Sequence, residues 1–292
     1  MDFSTLLGEA GLSPEEVAIC LHKPGDPVTR QALVVMAEER PDLFEAFQST
    51  HPAIQEATVR GRRYFASFVM TAPAELTFIG LYERHELARC TTEGLLADRV
   101  FCEMLMLADG HREGLRPNVE RISGRIRFEM VPTPAFRSLS KRLVVADPGG
   151  RNYVRLADTT PLEIVEVKRV AKLIPPMPSW DALTLTKAEL ATLPREWAIR
   201  LAEWRGIYLI VDEADGARYV GAAYGDENLL GRWRTHVAGD TGVTRKLQKR
   251  DTGGFRFSVL ELVSPAAAIK DVTAREQNWI SRLHSREFGL NA

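Results

Sequence analysis

The sequence has little of what marks membrane, secreted or repetitive proteins. No stretch of its 292 residues approaches the ~18 consecutive apolar residues of a membrane span. Its three cysteines, Cys20, Cys90 and Cys102, show no CxxC spacing, so we expect reduced, structural thiols. The opening MDFSTLLGEAG lacks the basic head of a secretory signal, and there is no internal repeat or low-complexity tract. We therefore expect a cytoplasmic protein without a membrane partner.

The composition is that of a globular chain with more than one domain. Apolar residues make up 45% and charged residues 26% of the sequence. The length is about twice that of a typical domain, which predicts two domains. The clearest boundary is the proline-rich segment 174–178, because consecutive prolines interrupt both helices and strand ladders. We expect a domain at 1–173, a linker with a helix at 174–205 and a second domain at 206–292.

The first domain reads as helices followed by strands. Residues 3–50 have helical spacing, with a start signal at Ser13-Pro14-Glu15-Glu16. From Tyr64 the pattern changes to short apolar or alternating segments separated by Gly and Pro, typical of a small twisted sheet or barrel. These segments are YFASFVM, LTFIGLY, RVFCEMLML, GRIRFEMV, RLVVA and EIVEVKRVAKL. The predicted fold is therefore α+β, with an N-terminal helical part and a β-rich, barrel-like part.

The net charge of −1 conceals a gradient along the chain. Residues 1–111 carry a net −8 and residues 112–172 a net +6, counted from the sequence. Because Lys and Arg contacts to phosphate supply most sequence-independent affinity, the second of these segments is a candidate nucleic-acid surface. A solvated, non-binding surface explains a bias of this size equally well. The candidate cations are Arg125, Arg127, Lys141 and Arg142.

The linker is expected to contain one helix, DALTLTKAELATLPREWAIRLAEW, with a capping box from Thr186 to Glu189. Beyond it, the last third of the chain contains a series of motifs. The segment GIYLIVDEADGARYVG runs from Gly206 to Gly221 and places Tyr208 and Tyr219 eleven residues apart. Arg232 and His236 follow four residues apart in GRWRTHV, then Glu276 in EQNWI and Asn291 near the end.

Taken together, these residues resemble the GIY-YIG nuclease domain. A lone GIY or YVG would be weak evidence for the resemblance, since strands are rich in such residues. Six motif positions in register are specific evidence. The resemblance covers about residues 206–292 and leaves the first 173 residues without a family. It implies an α/β sandwich with a small antiparallel sheet flanked by helices, and a metal-dependent phosphodiesterase.

The resemblance also implies a role for each motif residue. Glu276 would hold Mg²⁺ (or Mn²⁺) that keeps several of its waters, and Arg232 would fork two N–H donors onto phosphate oxygens. Tyr208 would take a proton from the attacking water, although a free phenol with a pKa of about 10 is a poor base. Tyr219 would orient the water or a phosphate oxygen. His236, one helical turn from Arg232, could relay a proton or fix Tyr208.

Three further expectations concern the same domain. Asn291 would tether the Glu276 helix region to the sheet. A basic cluster could grip the phosphate backbone, although a solvated loop remains the alternative; it consists of Arg245, Lys246, Lys249 and Arg250. Ala222 and Ala223 follow the second motif glycine where many members have Lys or Ser, which leaves the proton route open without changing the reaction class.

The predicted function is a metal-dependent DNA endonuclease, with the first domain selecting the target. Restriction or defence is the first expectation, and DNA repair or recombination the neighbouring one. A catalytically silent nucleic-acid-binding protein is the rival, although Arg232 and Glu276 argue against it. The first domain could instead bind a protein partner that delivers the nuclease. Double-stranded DNA is the expected substrate, and a homodimer or two successive cuts would be needed to break both strands.

Overall fold

Two consecutive prolines, Pro175 and Pro176, mark the division of the chain into two structural units. A computed structural model describes residues 1–108, 114–225, 227–239 and 245–292. The first unit spans Met1–Pro175 and the second Pro176–Ala292. Within the described ranges, no helix is long and apolar enough to cross a membrane.

The first unit is built on a seven-stranded sheet. Its strands are β1 (Val17–His22), β2 (Tyr64–Ala72), β3 (Glu75–Arg89), β4 (Ile126–Pro132), β5 (Leu143–Ala146), β6 (Val154–Leu156) and β7 (Ile164–Val167). The order is β6-β1-β2-β3-β5-β7, and β4 pairs with another part of the long strand β3. Only β1 and β2 pair in parallel; the other pairings described are antiparallel.

Helices accompany this sheet. They are α1 (Phe3–Glu9), α2 (Pro27–Glu39), α3 (Pro41–Gln48), α4 (Ala53–Arg60), α5 (Thr92–Ala97), α6 (Arg99–Ala108) and α7 (Leu115–Ile122). One apolar cluster forms where α2, α3, α6 and α7 meet, around Leu33, Phe44 and Phe101. A second contains Phe3 of α1 with Phe68 and Phe78 of the sheet.

Two segments of this unit differ from the sequence prediction. The stretch 3–50, predicted as helical, contains strand β1, whose six residues are all buried. A short, continuous apolar run fits a buried strand as well as a helix, so periodicity alone does not separate them. Conversely, RVFCEMLML was predicted as a strand and is helix α6. Its buried residues Phe101, Met104, Leu105 and Ala108 follow the i, i+3, i+4, i+7 spacing of a helix.

The second unit has a four-stranded antiparallel sheet in the order β10-β9-β11-β8. Its strands are β8 (Thr184–Thr186), β9 (Gly206–Asp212), β10 (Arg218–Ala223) and β11 (Phe255–Leu262). Its helices are α8 (Lys187–Ala191), α9 (Arg195–Glu203), α10 (Asn228–Ala238), α11 (Arg245–Gln248) and α12 (Ile269–Arg282).

Helices cover both faces of this small sheet. On one face α12 buries Val272 and Ile280 against Ile207 and Val220. On the other face, Trp233 of α10 packs against Phe257, with ring centroids 5.5 Å apart. The predicted α+β class, with a small antiparallel sheet flanked by helices, is confirmed.

The segment predicted as a single linker helix is divided. Thr184–Thr186 form β8, which pairs with β11, and two short helices follow. The predicted capping box between Thr186 and Glu189 is confirmed and starts α8. Pro194 separates α8 from α9, because proline lacks the N–H that a continuous helix would need there.

Candidate active site

The pairing of β9 and β10 brings the two motif tyrosines to one face of the sheet. Tyr208 lies opposite Gly221, and Tyr219 lies opposite Ile210. Residues two apart on a strand share a face, so Tyr208 and Tyr219 point to the same side. Their ring centroids are 6.4 Å apart.

Gly221 makes room for the Tyr208 hydroxyl. A Cβ atom at this position would overlap Tyr208 Oη and Cζ and lie 2.9 Å from Tyr219 Cε1. Only glycine leaves this space on the strand, which explains the residue type at the end of the YVG motif in terms of packing.

Helix α10 places Arg232 and His236 against these rings. The Nε2 atom of His236 lies 2.6 Å from Tyr208 Oη, and the His236 ring centroid is 5.4 Å from that of Tyr219. Trp233, on the same helix, is fully buried in the core. The spacing of four residues between Arg232 and His236 therefore directs both side chains toward the tyrosines.

Burial and Arg232 act in opposite directions on the two phenols. Burial raises the pKa of Tyr208 well above its ordinary value, and it also raises the pKa of Tyr219. The Arg232 guanidinium opposes both shifts through its charge and its hydrogen bonds. Burial alone would lower the pKa of Arg232, but its interactions with Tyr208 and Tyr219 raise that pKa overall. The two hydroxyls thus hold a guanidinium that stays charged.

His236 is held in its neutral form. Burial, aided by the nearby charge of Arg232, lowers the pKa of His236 to about 3. A neutral imidazole has one donor and one acceptor nitrogen. Nε2 is the atom paired with Tyr208, whereas Nδ1 is buried without a partner in the described part of the chain.

A cleft of about 490 Å³ contains both charged motif residues. Arg232 enters it from α10 and Glu276 from α12. Tyr208 and Tyr219 lie outside its described lining, next to Arg232. The remaining lining residues are Ala222, Ala223, Tyr224, Gly225, Glu227, Asn228, Gly231 and Thr235.

The Glu276 carboxylate is partly desolvated in this cleft. Burial raises its pKa, while a hydrogen bond from the Ala222 backbone and the charge of Arg232 oppose the increase. The backbone contact is one that the sequence does not indicate, because any residue type can supply an N–H group. Ala222, noted above as a departure from the family pattern, therefore positions the carboxylate with its main chain.

This donor set fits one kind of metal ion. The described residues contain no group of three or more His, Cys, Asp or Glu side chains that could enclose a metal. A single carboxylate beside an open cleft suits Mg²⁺, which keeps several waters and binds few protein ligands. Glu276 is the residue that would hold such an ion, in the cleft that Arg232 also lines.

Asn291 is bound to the sheet rather than to the cleft. Its Oδ1 accepts from the Val220 N–H at 2.9 Å, and its Nδ2 donates to the Val220 carbonyl at 2.8 Å. Ser285 Oγ donates to the same Oδ1 at 2.7 Å. Val220 lies between Tyr219 and Gly221, so this amide fixes the backbone that carries the second motif.

The four cations of the basic cluster divide into two pairs. Lys246 donates to the carbonyls of Arg286 and Asn291, both at 3.2 Å. Arg250 bonds to Asp212 at 3.0 Å and to Asp215 at 2.6 Å. By contrast, the side chains of Arg245 and Lys249 are exposed. Two of the predicted phosphate contacts thus have structural partners, and two face solvent.

All four cations predicted in the first unit also have partners. Arg127 pairs with Asp98 at 2.7 Å, and Lys141 donates to the Glu38 carbonyl at 3.1 Å. Arg142 donates to the Lys168 carbonyl at 2.6 Å. Arg125 is half-buried, donates to the Arg121 carbonyl at 3.5 Å and lines a cavity. The structure therefore does not bring these four side chains together as one exposed patch.

The antiparallel sheet between helices thus brings Arg232 and Glu276 to one cleft, with two tyrosines beside Arg232. Residues 205–291 match the family model described as the GIY-YIG catalytic domain. Residues 205–291 are therefore a GIY-YIG catalytic domain, and this part of the chain is a nuclease domain.

Two solved structures are similar to the same part of the chain. One is a point variant of the catalytic domain of the intron endonuclease I-TevI, with 27% identity, covering 30% of this chain and 92% of that chain at a TM-score of 0.26. The other is the catalytic domain of homing endonuclease I-TevI, with 30% identity, 30% and 96% coverage and a TM-score of 0.25. No curated protein matches the chain.

Proposed function

We propose that the second unit is a divalent-metal-dependent endonuclease that hydrolyses DNA phosphodiester bonds. The observation that carries the proposal is the placement of Arg232 and Glu276 in one cleft, with Tyr208 and Tyr219 holding Arg232. A guanidinium and a carboxylate that line the same cleft can contact phosphate and a metal ion together. The names of the similar solved structures, an intron and a homing endonuclease, support DNA as the substrate.

Each charged residue has a defined task in this proposal. Arg232 donates to non-bridging phosphate oxygens, where charge grows in the transition state. Glu276 would hold Mg²⁺ or Mn²⁺, which when bound would neutralise phosphate charge and lower the pKa of a water. The Ala222 N–H orients the carboxylate, so that Glu276 presents its remaining oxygen lone pairs to the cleft.

Two roles fit the contacts of Tyr208. Its hydroxyl could accept the proton of the attacking water, since Arg232 and His236 both lie beside its oxygen and would stabilise a phenolate. Alternatively, Tyr208 and Tyr219 position the Arg232 guanidinium and remain protonated, as their burial favours. In both cases His236 fixes the Tyr208 hydroxyl. Asn291 fixes β10, the strand that pairs with the strand of Tyr208.

Target selection is assigned to the first unit. The support is the positive net charge of residues 112–172 and the presence in this unit of a cavity that has cationic residues. A nuclease combined with a separate selecting unit suits restriction or defence against foreign double-stranded DNA. Because one cleft cuts one strand, a double-strand break would take a homodimer or two successive cuts.

The test pairs cleavage with binding. Arg232→Ala and Glu276→Ala should each lower plasmid cleavage with Mg²⁺ by about 10²–10³, with gel-shift affinity in Ca²⁺ mostly retained. Arg234→Ala is the matched control, because Arg234 lies on the same helix with its side chain 53% exposed and pairs only distantly with Glu227. Near-normal cutting by Arg232→Ala or Glu276→Ala would refute the proposed site.

A further inference from the structure

The first unit contains a larger cavity than the nuclease cleft. Its volume is about 740 Å³, within the ~300–1,000 Å³ typical of small-molecule sites. It is lined by residues of β1, α2, α3, α6 and α7 and by the loop before β6. Nothing in the proposed nuclease mechanism uses this cavity.

Part of the cavity wall is apolar and aromatic. Leu33, Leu105 and Ile122 contribute aliphatic side chains, and Phe47 and Tyr153 contribute rings. A surface of this kind favours a flat ligand that stacks on the rings and excludes water.

Two buried histidines give the apolar wall hydrogen-bonding groups. His22 and His51 line the cavity, are 4% and 1% exposed, and each has an Nε2 atom with no partner among the described residues. Their Nδ1 atoms are occupied, His22 by Cys20 Sγ at 3.7 Å and His51 by Tyr153 Oη at 3.2 Å. Gln48 also interacts with both rings, with His22 through its side chain and with His51 through its backbone.

Burial also keeps both rings uncharged. It lowers the pKa of His22 to about 4 and that of His51 to about 3. Neither imidazole therefore places a charge beside a ring bound in the cavity.

Cations give the same cavity a positive side. Arg121, Arg125 and Arg151 line it, and the Lys23–Asp147 ion pair contributes no net charge. Arg151 is exposed and has no hydrogen-bond or ion-pair partner in the described ranges, while Arg125 is half-buried. Arginine matches phosphate geometry through its fork of donors, so the charge of this wall is complementary to a phosphate group.

From these features we infer that the cavity binds a nucleotide unit. The base stacks on Phe47 and Tyr153 beside the His22 and His51 rings, and the phosphate contacts Arg125 and Arg151. This ligand chemistry has two sources, a nucleotide extruded from a DNA duplex or a free mononucleotide. An extruded base is read by stacking and edge hydrogen bonds in such a pocket. In the first case the inference rests on the proposed function and gives target selection a physical site.

The experiment compares two full-length proteins that carry the same charge change. Both carry Arg232→Ala to prevent cleavage. One also carries Arg125→Gln with Arg151→Gln, and the control carries Arg137→Gln with Arg169→Gln, which are exposed positions outside the cavity lining. The probes are a duplex containing 2-aminopurine, read by fluorescence, and AMP, GMP, CMP and TMP, read by calorimetry.

We expect 2-aminopurine fluorescence to rise on binding or a mononucleotide to bind. In either case the Arg125/Arg151 variant should lose at least about tenfold in affinity, because each charged hydrogen bond contributes that order, and the Arg137/Arg169 control should not. Phe47→Ala should weaken binding of the same probe; because Phe47 packs against the apolar cluster around Leu33, Phe44 and Phe101, a thermal melt verifies that this variant is folded. A fluorescence response alone assigns extrusion, and mononucleotide binding alone assigns a free ligand.

Failure of both probes to bind overturns the inference, as does equal affinity of the cavity variant and the control. Plasmid cleavage by the protein with Arg232 intact is measured separately. Cleavage without nucleotide binding refutes only the cavity assignment, and nucleotide binding without cleavage refutes only the nuclease assignment.

Discussion

The hydroxyl group of Tyr208 occupies the space that a side chain at Gly221 would need. The two residues face each other across β9 and β10, and a Cβ at Gly221 would overlap Oη and Cζ of Tyr208. Because Tyr208 Oη in turn contacts His236 and Arg232, the glycine indirectly sets the position of the guanidinium in the cleft.

Gly221→Ala should destabilise the second unit and reduce cleavage. Overpacking a filled site costs about 1–3 kcal/mol, and the displaced Tyr208 would move Arg232. Thermal melts and plasmid cleavage measure the two effects. Gly225→Ala is the control, because a Cβ at Gly225, which also lines the cleft, meets nothing within 4 Å. Equal melting temperatures for the two variants would contradict the packing argument.

Tyr208→Phe should affect cleavage far more than stability. Loss of one hydrogen bond costs about 0.5–1.5 kcal/mol, whereas a general base contributes about 10²–10⁴ in rate. Tyr224→Phe, at an exposed tyrosine that lines the same cleft, controls for removal of a hydroxyl.

The pH–rate profile separates the two roles of Tyr208. If Tyr208 is the base, the cleavage rate of the wild type rises with pH through the pKa of the phenol. The Tyr208→Phe variant then lacks this rise. If it positions Arg232, the variant keeps the shape of the profile at a reduced rate. Full activity in Tyr208→Phe would exclude both roles.

Asn291→Ala should lower stability more than it lowers catalysis. The change leaves the N–H and carbonyl of Val220 and the hydroxyl of Ser285 without their partner, and each buried unpaired group costs about 1–3 kcal/mol. Removal of the exposed Ala292 is the control. Melting curves, with cleavage measured well below the transition, decide the matter; a stable but inactive Asn291→Ala would assign this residue to the chemistry.

The basic cluster should separate into binding and structural residues. Arg245→Gln with Lys249→Gln should flatten the salt dependence of duplex binding, by about 0.9 in log–log slope per lost phosphate contact, at an unchanged melting temperature. Arg250→Gln should instead lower the melting temperature, because it leaves the buried Asp212 carboxylate without its ion-pair partner. The assignment is wrong if Arg250→Gln changes only the salt slope.

Glu276 should make cleavage and stability respond to pH in opposite directions. Its pKa is raised by burial, so the carboxylate form that cleavage requires is lost as pH falls through a value above the ordinary ~4.3 of Glu. A carboxyl with a raised folded-state pKa favours the folded state in acid, and this contribution is lost as pH rises through that pKa.

Glu276→Gln should therefore be inactive yet at least as stable as the wild type near pH 8, with the difference disappearing in acid. Melting curves across pH measure this, with Glu287→Gln at an exposed position as the control. A lower melting temperature for Glu276→Gln at pH 8 would show that the carboxylate stabilises the fold.

Local spacing in the sequence was sufficient to predict which motif residues lie on neighbouring strands and which share a helix face. Tyr208 and Tyr219 lie on paired strands, and Arg232 and His236 share a helix face, because strand and helix periods fix those relations within a few residues. Strand β1 and helix α6 were assigned wrongly, since short apolar runs suit either structure until tertiary packing decides.

What the sequence by itself determined is the family, the small antiparallel sheet between helices and the residues of the nuclease motifs. The tertiary structure alone decided which cations have partners, where Asn291 binds and that His22 and His51 share a cavity. The pairs Lys141–Glu38 and Arg250–Asp212 join positions 103 and 38 residues apart. Charge and hydrogen bonding act through space, so a contact between distant positions leaves no periodic signal in the chain.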